Sequence, residues 1–375
     1  KNILVYLMSI PFSKHNFTKK TYNDVQNILE SGWLTHGKYT LAFEEEFKKF
    51  TNTKYAVTVS SCTAGLHLSC IVAGFKKGDE VIVPAMSHTA TSHAVEYTGA
   101  KVKFIDTEPL TGNINVSLLN KLISKKTKGI IIVHMAGFPC NMREIVKICN
   151  KNKIKLIEDC AHAVGTVFDH KHVGNFGISG SFSFYPTKQI VTGEGGIVIT
   201  NSKKVYKKIK MLKGFGIDKD ITQRKKPGFY DVKELGFNYR MTDFQAALGI
   251  RQITNYKKNL ARRKRLAKLY IEKLKINNKI SFAPYNKECS YFVFQIFLTK
   301  RDKLLKKFSE LKIGSSVHYR RPIPMMTYYK KKYGLKKNLF SDAIKYGKNN
   351  ISLPIYPKLK EKEIEKICKV INQKI

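Results

Sequence analysis

The chain has 375 residues, 43% apolar and 26% charged, and its 68 basic and 28 acidic side chains leave a net charge of +40. At about 150 residues per domain this length suggests two domains, and the composition excludes a disordered, collagen-like or disulfide-stapled chain. Only ten of the basic residues are Arg and the Lys is spread over nearly every segment, which argues against a dedicated nucleic-acid footprint but leaves a surface that attracts anions.

Taken in chain order, residues 3–8 read as an extended N-terminal arm. Pro11-Phe12-Ser13-Lys14-His15 stands where a signal peptide would need a small-residue cleavage site. Short β-branched runs then predict strands at 55–59, 80–83, 101–105, 129–133, 154–157, 181–184 and 196–199. Helical spacing falls between them at 64–72, 116–125 and 143–150. The alternation predicts an α/β fold with a mostly parallel sheet, whose ligands gather at the carboxyl ends of the strands. Residues 213–236, with Gly214, Gly216, Pro227, Gly228 and the cluster Arg224-Lys225-Lys226, read as a long loop, of a length that is usually functional or disordered. A helical pattern from Asp243 to about Lys275 links to a second domain. The expected division is 1–250 for the arm and large domain and 251–375 for a smaller α+β domain. Apolar runs such as Ile130-Ile131-Ile132-Val133 are too short to span a membrane. The seven Cys are odd in number, widely spaced and form no C-x-x-C pair, which points to a reduced, cytoplasmic protein with no metal site.

Three stretches carry chemistry. In Ser181-Phe182-Ser183-Phe184-Tyr185-Pro186-Thr187-Lys188, followed by Gly193-Glu194-Gly195-Gly196, one Lys sits between an apolar strand and a glycine-rich turn. A desolvated Lys loses part of its basicity and becomes an amine nucleophile for a carbonyl. In Glu158-Asp159-Cys160-Ala161-His162, Asp159 ends a strand 29 residues upstream of Lys188. Alone it would cap a turn; beside a special Lys it suits the pyridinium of pyridoxal phosphate (PLP). In Ser60-Ser61-Cys62-Thr63-Ala64, small residues open a helix whose first amides could meet a phosphate, although many helices begin so without a ligand.

These stretches, with Gly32-Trp33-Leu34-Thr35, Pro84-Ala85-Met86-Ser87-His88-Thr89-Ala90-Thr91, Gly236-Phe237-Asn238-Tyr239-Arg240-Met241, His318-Tyr319 and Ser352-Leu353-Pro354, stand in one order along nearly the whole chain. In that order they resemble the DegT/DnrJ/EryC1/StrS sugar aminotransferases, PLP enzymes of fold type I. The resemblance implies that Lys188 forms the internal aldimine and moves the substrate proton, that Asp159 pairs with the pyridine nitrogen, and that His162 lies near the ring oxygen. It places Ser183 and the Thr63 and Ala64 amides on the phosphate, His88 on the ring, and Asn238 at the phosphate of a neighbouring subunit's site. Thr35, His318 and Tyr319 would contact the sugar nucleotide. Many relatives carry Phe, Tyr or Trp at the position of His88, Gly-Pro at Gly37-Lys38, and a second His where Arg320 follows His318-Tyr319. Arg320 and Arg321 could bind a diphosphate or be a solvated pair.

The expected function is transfer of an amino group, with L-glutamate as donor, to a keto sugar on a nucleoside diphosphate, by a homodimer with shared sites. The family's sugar dehydratases are an alternative that Lys188 opposes, because they carry His there. A basic nucleic-acid-binding or regulatory protein is the alternative from another class.

Overall fold

The computed structural model describes residues 9–15, 17–35, 37–219, 224, 226–274 and 279–374. The arm expected at 3–8, Lys225 and the end of the helical pattern at Lys275 lie outside them.

Two helices, α1 (Lys19–Ser31) and α2 (Lys38–Thr51), precede the alternation. Then come β1 (Tyr55–Val59), α3 (Cys62–Ala73), β2 (Glu80–Pro84), α4 (Thr89–Glu96), β3 (Lys101–Ile105), α5 (Leu119–Leu122), β4 (Thr127–Val133), α6 (Met142–Lys151) and β5 (Lys155–Asp159). A short ribbon, β6 (Val167–Phe168) with β7 (Lys171–His172), leads to β8 (Ser179–Ser183), β9 (Gly196–Thr200) and α7 (Lys203–Leu212). The remainder is α8 (Asp243–Thr254), α9 (Tyr256–Lys273), β10 (Ile280–Ser281), β11 (Phe294–Leu298), α10 (Arg301–Glu310), α11 (Thr327–Tyr333), α12 (Ser341–Asn349), β12 (Asn350–Leu353) and α13 (Glu361–Lys374).

Seven strands form one sheet in the order β1-β9-β8-β5-β4-β2-β3. Only β9 runs antiparallel to its neighbours. The carboxyl ends of β1, β2, β5 and β8 therefore share one edge with the start of β9, as the alternation predicts. Helices on both faces bury the strands, which explains why β4 carries three successive Ile, all fully buried. On one face α2 sends Phe43 and Phe47 onto Phe184 and Phe182, with ring centroids 5.1 and 5.0 Å apart. Gly65 lets α3 lie close to the sheet: a Cβ there would stand 2.8 Å from Val198 Cγ2. A second, antiparallel sheet of β10, β11 and β12 belongs to the C-terminal part of the chain.

Three expectations change. The helical spacing at 116–125 yields a 3₁₀ turn and only four α-helical residues, because Thr127 Oγ1 accepts from the Ser124 amide at 3.0 Å and ends the helix. The pattern from Asp243 breaks at Asn255, where Asn255 Nδ2 and Thr254 Oγ1 donate back to the Arg251 and Ile250 carbonyls and close α8. The segment 213–236 is partly laddered: Ile217 bridges Val232, the Asp218 amide donates to the Asp231 carbonyl, and the Lys233 amide donates to the Gly216 carbonyl.

Candidate active site

The turn after β8 presents Lys188, whose amide donates to the Tyr185 carbonyl at 2.8 Å. Its neighbour Gln189 is buried and donates through Nε2 to Ser290 Oγ at 2.9 Å, anchoring the turn to the segment before β11. The Lys188 amine lies 4.6 Å from the centroid of the Phe292 ring. Among the described residues, no acceptor takes a hydrogen bond from it. The residue keeps some surface, but enclosure of the amine lowers its pKa to about 8, with Cys62 and Asp159 pulling the other way.

Asp159 closes β5 and is 4% exposed. Its Oδ2 accepts from Thr91 Oγ1 at 2.8 Å and its Oδ1 from the Ala161 amide at 3.1 Å, with Cys62 Sγ at 3.9 Å. Burial raises the carboxyl pKa; the Thr91 and Ala161 hydrogen bonds and the charge of Lys188 restrain it. One residue earlier, Glu158 points to the opposite face of the sheet. There it accepts from the amides of Gly174, Phe176 and Gly177 and meets His134 Nε2 at 3.2 Å. That satisfied network fixes the strand end without entering the site.

His162 Nδ1 accepts from the Ala136 amide at 3.4 Å, so Nε2 carries the proton toward Tyr319 Oη at 3.2 Å. Its ring stacks on Phe292 with centroids 4.4 Å apart. Burial, and then the Lys188 charge, push His162 well below the ordinary range, and burial drives His318 down to about 3. Both rings are neutral at pH 7. His318 Nδ1 meets Ser352 Oγ at 2.9 Å. His88 caps α4, its Nδ1 accepting from the Ala90 amide at 3.2 Å, and its ring lies 5.9 Å from that of Tyr319.

The start of α3 completes the arrangement. Ser61 Oγ accepts from the Ala64 amide at 3.1 Å, which leaves the Cys62 and Thr63 amides without a partner among the described residues. Gly196 packs directly on this turn, where a Cβ would stand 2.6 Å from the Cys62 nitrogen. Its cross-strand partner is Ser183, at the end of β8.

The structure thus brings Lys188, Asp159, His162, His88, His318 and Tyr319 together, with Thr63, Ala64 and Ser183 at the helix entry beside them. Thr35 and Asn238 are exposed, and no hydrogen bond among the described residues joins them to these groups, although the Tyr239 carbonyl accepts from the Ser60 amide at the helix entry. Thr35 bridges Thr242, and Asn238 bridges Gly214 while accepting from Arg240 Nε at 3.0 Å. Arg320 and Arg321 do not act as a pair: Arg320 is bound to Asp302 at 2.9 and 3.3 Å, and Arg321 is exposed. Phe292 and Thr91 touch the central groups, and Gln189 anchors the Lys188 turn; none is singled out by the sequence. Thr91 lies within a quoted motif, whereas Phe292 is an ordinary residue in an apolar run.

A model described as the DegT/DnrJ/EryC1/StrS aminotransferase family matches residues 16–372. GDP-perosamine synthase of Escherichia coli O157:H7 is 34% identical over 371 residues, covering 97% of this chain and 98% of its own. The PLP-form of Spr1654 from Streptococcus pneumoniae is similar at TM-score 0.89 and 28% identity, over 97% of this chain and 98% of that one. Helicobacter pylori PseC, an aminotransferase involved in the biosynthesis of pseudoaminic acid, gives 0.90 and 27% over the same shares. The chain belongs to the DegT/DnrJ/EryC1/StrS aminotransferase family and is a PLP-dependent enzyme of fold type I.

Proposed function

We propose that the chain transfers an amino group from L-glutamate to the keto carbon of a nucleoside-diphosphate sugar, in the cytoplasm, with PLP held at the Lys188–Asp159 cluster. The observation that carries this reading is an enclosed amine beside a buried carboxylate at the carboxyl edge of a mostly parallel sheet. The residues present fit PLP: an amine with no acceptor for the aldehyde, a buried carboxylate for the ring nitrogen, and uncapped helix amides beside Ser183 for the phosphate. Bound there, PLP supplies the electron sink for breaking the C–H bond beside the transferred nitrogen.

Lys188 Nζ is the group that would hold the cofactor's aldehyde and would carry the proton between substrate and site. With a pKa near 8 the amine holds or yields that proton close to neutral pH. Asp159 would keep the ring nitrogen protonated, His162 would offer the ring oxygen the Nε2–H it shares with Tyr319, and His88 would stack on the ring. Ser183 and the uncapped Cys62 and Thr63 amides would hold the phosphate, with the Ala64 amide, expected there from the sequence, engaged by Ser61 Oγ instead. Thr35, His318 and Tyr319 would orient the sugar nucleotide. A second copy of the chain completes each site with its own Asn238. Exposed apolar side chains support that assembly: Leu235 (88%) and Phe229 (64%) on the 213–236 excursion, and Leu41 (61%) and Trp33 (50%) near the start of α2.

The test is to offer the PLP-loaded protein glutamate and a panel of keto sugar nucleotides, and to weigh the products. An amino sugar nucleotide should form with 2-oxoglutarate, and borohydride should attach the cofactor to the peptide containing Lys188. No amination across the panel would overturn the substrate class; a tag on another Lys would overturn the site.

A further inference from the structure

We propose that Thr91, oriented by Ser87, is a positioning residue that holds the Asp159 carboxyl ionised and fixes its rotation toward the cofactor. The proposal rests on the reading of Asp159 as partner of the ring nitrogen. Ser87, Thr91 and Asp159 form a line of short contacts: Ser87 Oγ to Thr91 Oγ1 at 2.8 Å, and Thr91 Oγ1 to Asp159 Oδ2 at 2.8 Å. All three are shut off from water, at 2%, 0% and 4% exposure. An ionised carboxylate only accepts, so the Thr91 proton goes to Asp159. The Thr91 oxygen then accepts from Ser87, and the two bonds polarise each other.

Burial presses Asp159 toward its neutral form, and few groups resist. The groups facing it are Cys62 from α3, His88 from the start of α4, Lys188 from the turn after β8, Tyr319 from the C-terminal part, and Cys160 beside it. Cys62, Cys160 and Tyr319 are held in their neutral forms, which leaves Lys188 and His88, when protonated, as the cationic groups that favour the carboxylate. Hydrogen bonds to the charged form come from Thr91 and Ala161, with Thr91 the stronger restraint.

The helix that carries Thr91 is gripped at its far end. Tyr329 Oη meets His93 Nδ1 at 2.7 Å, and Glu96 accepts from Tyr328 Oη, Tyr333 Oη and Lys332. That clamp from α11 keeps the Thr91 hydroxyl from drifting off the carboxylate, so α4 acts as a rigid bracket rather than as packing alone.

The experiment titrates unliganded protein with PLP by absorbance across pH, and follows turnover over the same range, for Thr91→Val, Thr91→Ser, Ser87→Ala and Asp159→Asn. Thr91→Val should move the acid limb of PLP affinity up by about one pH unit, about tenfold weaker binding on that limb. Thr91→Ser should restore it, and Ser87→Ala should fall between. An acid limb unmoved in Thr91→Val, while Asp159→Asn has lost that limb and most turnover, overturns the proposal and leaves the Asp159 reading standing. If Thr91→Val does not fold, an unmoved limb in Ser87→Ala overturns it equally. Wild-type turnover and an intact limb in Asp159→Asn would remove the reading of Asp159 and the proposal together.

Discussion

The Lys188 amine faces the ring of Phe292, and the same ring stacks on His162, so one phenyl group touches both the nucleophile and the histidine beside it. The Phe292 amide donates to the Ala136 carbonyl at 3.0 Å, which fixes the ring from its backbone. The ring face attracts the cation weakly, by about 0.5–2 kcal/mol, but it also removes water from the amine. Burial of the amine lowers its pKa to about 8, so desolvation is the larger influence on it.

Capture of PLP by the unliganded protein should therefore depend on pH through this amine. The neutral form attacks, so the rate should rise about tenfold per unit below pH 8 and level off above it. Phe292→Ala should admit water and move the break upward by about one unit. Stopped-flow absorbance between pH 6 and 10 measures both; a break near 10 in the wild-type protein would contradict the enclosed amine.

The same enclosure costs stability. The folded pKa of Lys188, about 8, lies below its ordinary 10.5. Both states are protonated below pH 8, and the full penalty for burying the charge stands there. It fades as pH rises from 8 to 10.5, where only the unfolded chain binds the proton. Lys188→Met should thus raise the stability of the unliganded protein at pH 7 by about 3 kcal/mol, with little gain above pH 10.5. Calorimetric melting at the two pH values tests it, and an equal effect at both would show that packing, not charge, is responsible.

The sheet was legible because each strand is a β-branched run between turn residues, Asp159 because it ends such a strand, and Lys188 because it stands in the turn that follows one. Local pattern reaches no further. Phe292 meets Lys188 across 104 residues of chain and Thr91 meets Asp159 across 68, and neither residue type is unusual where it stands. The partner of Arg320 was out of reach for the same reason: Asp302 lies 18 residues back, on α10. The helices α1, α2, α4 and α7 went unread, although Phe43 and Phe47 repeat at the spacing of one helical turn.

Asp159→Asn should keep bound cofactor and lose turnover by at least a hundredfold. An amide matches the carboxylate in shape: its Oδ1 can still accept from the Ala161 amide, and its Nδ2 can donate to the Thr91 hydroxyl, which accepts as well as donates. It cannot hold the ring nitrogen protonated, so proton removal from the substrate loses its electron sink. Steady-state rates with glutamate alongside cofactor content settle it; wild-type turnover would make Asp159 a purely structural residue.

Assembly gives the last prediction. Asn238 is exposed in the single chain, at the base of the 213–236 excursion, while Lys188 sits in the turn after β8. If two copies share their sites, each site takes Lys188 from one chain and Asn238 from the other. Asn238→Ala should then weaken cofactor binding by about ten- to a hundredfold, the worth of one hydrogen bond to a charged group. Lys188→Ala should be inactive. Mixing the two variants makes dimers in which one site inherits both defects and the other receives intact Lys188 and intact Asn238. Equal amounts under free exchange give mixed dimers as about half of the population, hence about a quarter of the wild-type activity at limiting cofactor. No recovery, with mixed dimers confirmed by mass, would place Asn238 in its own chain's site or outside both.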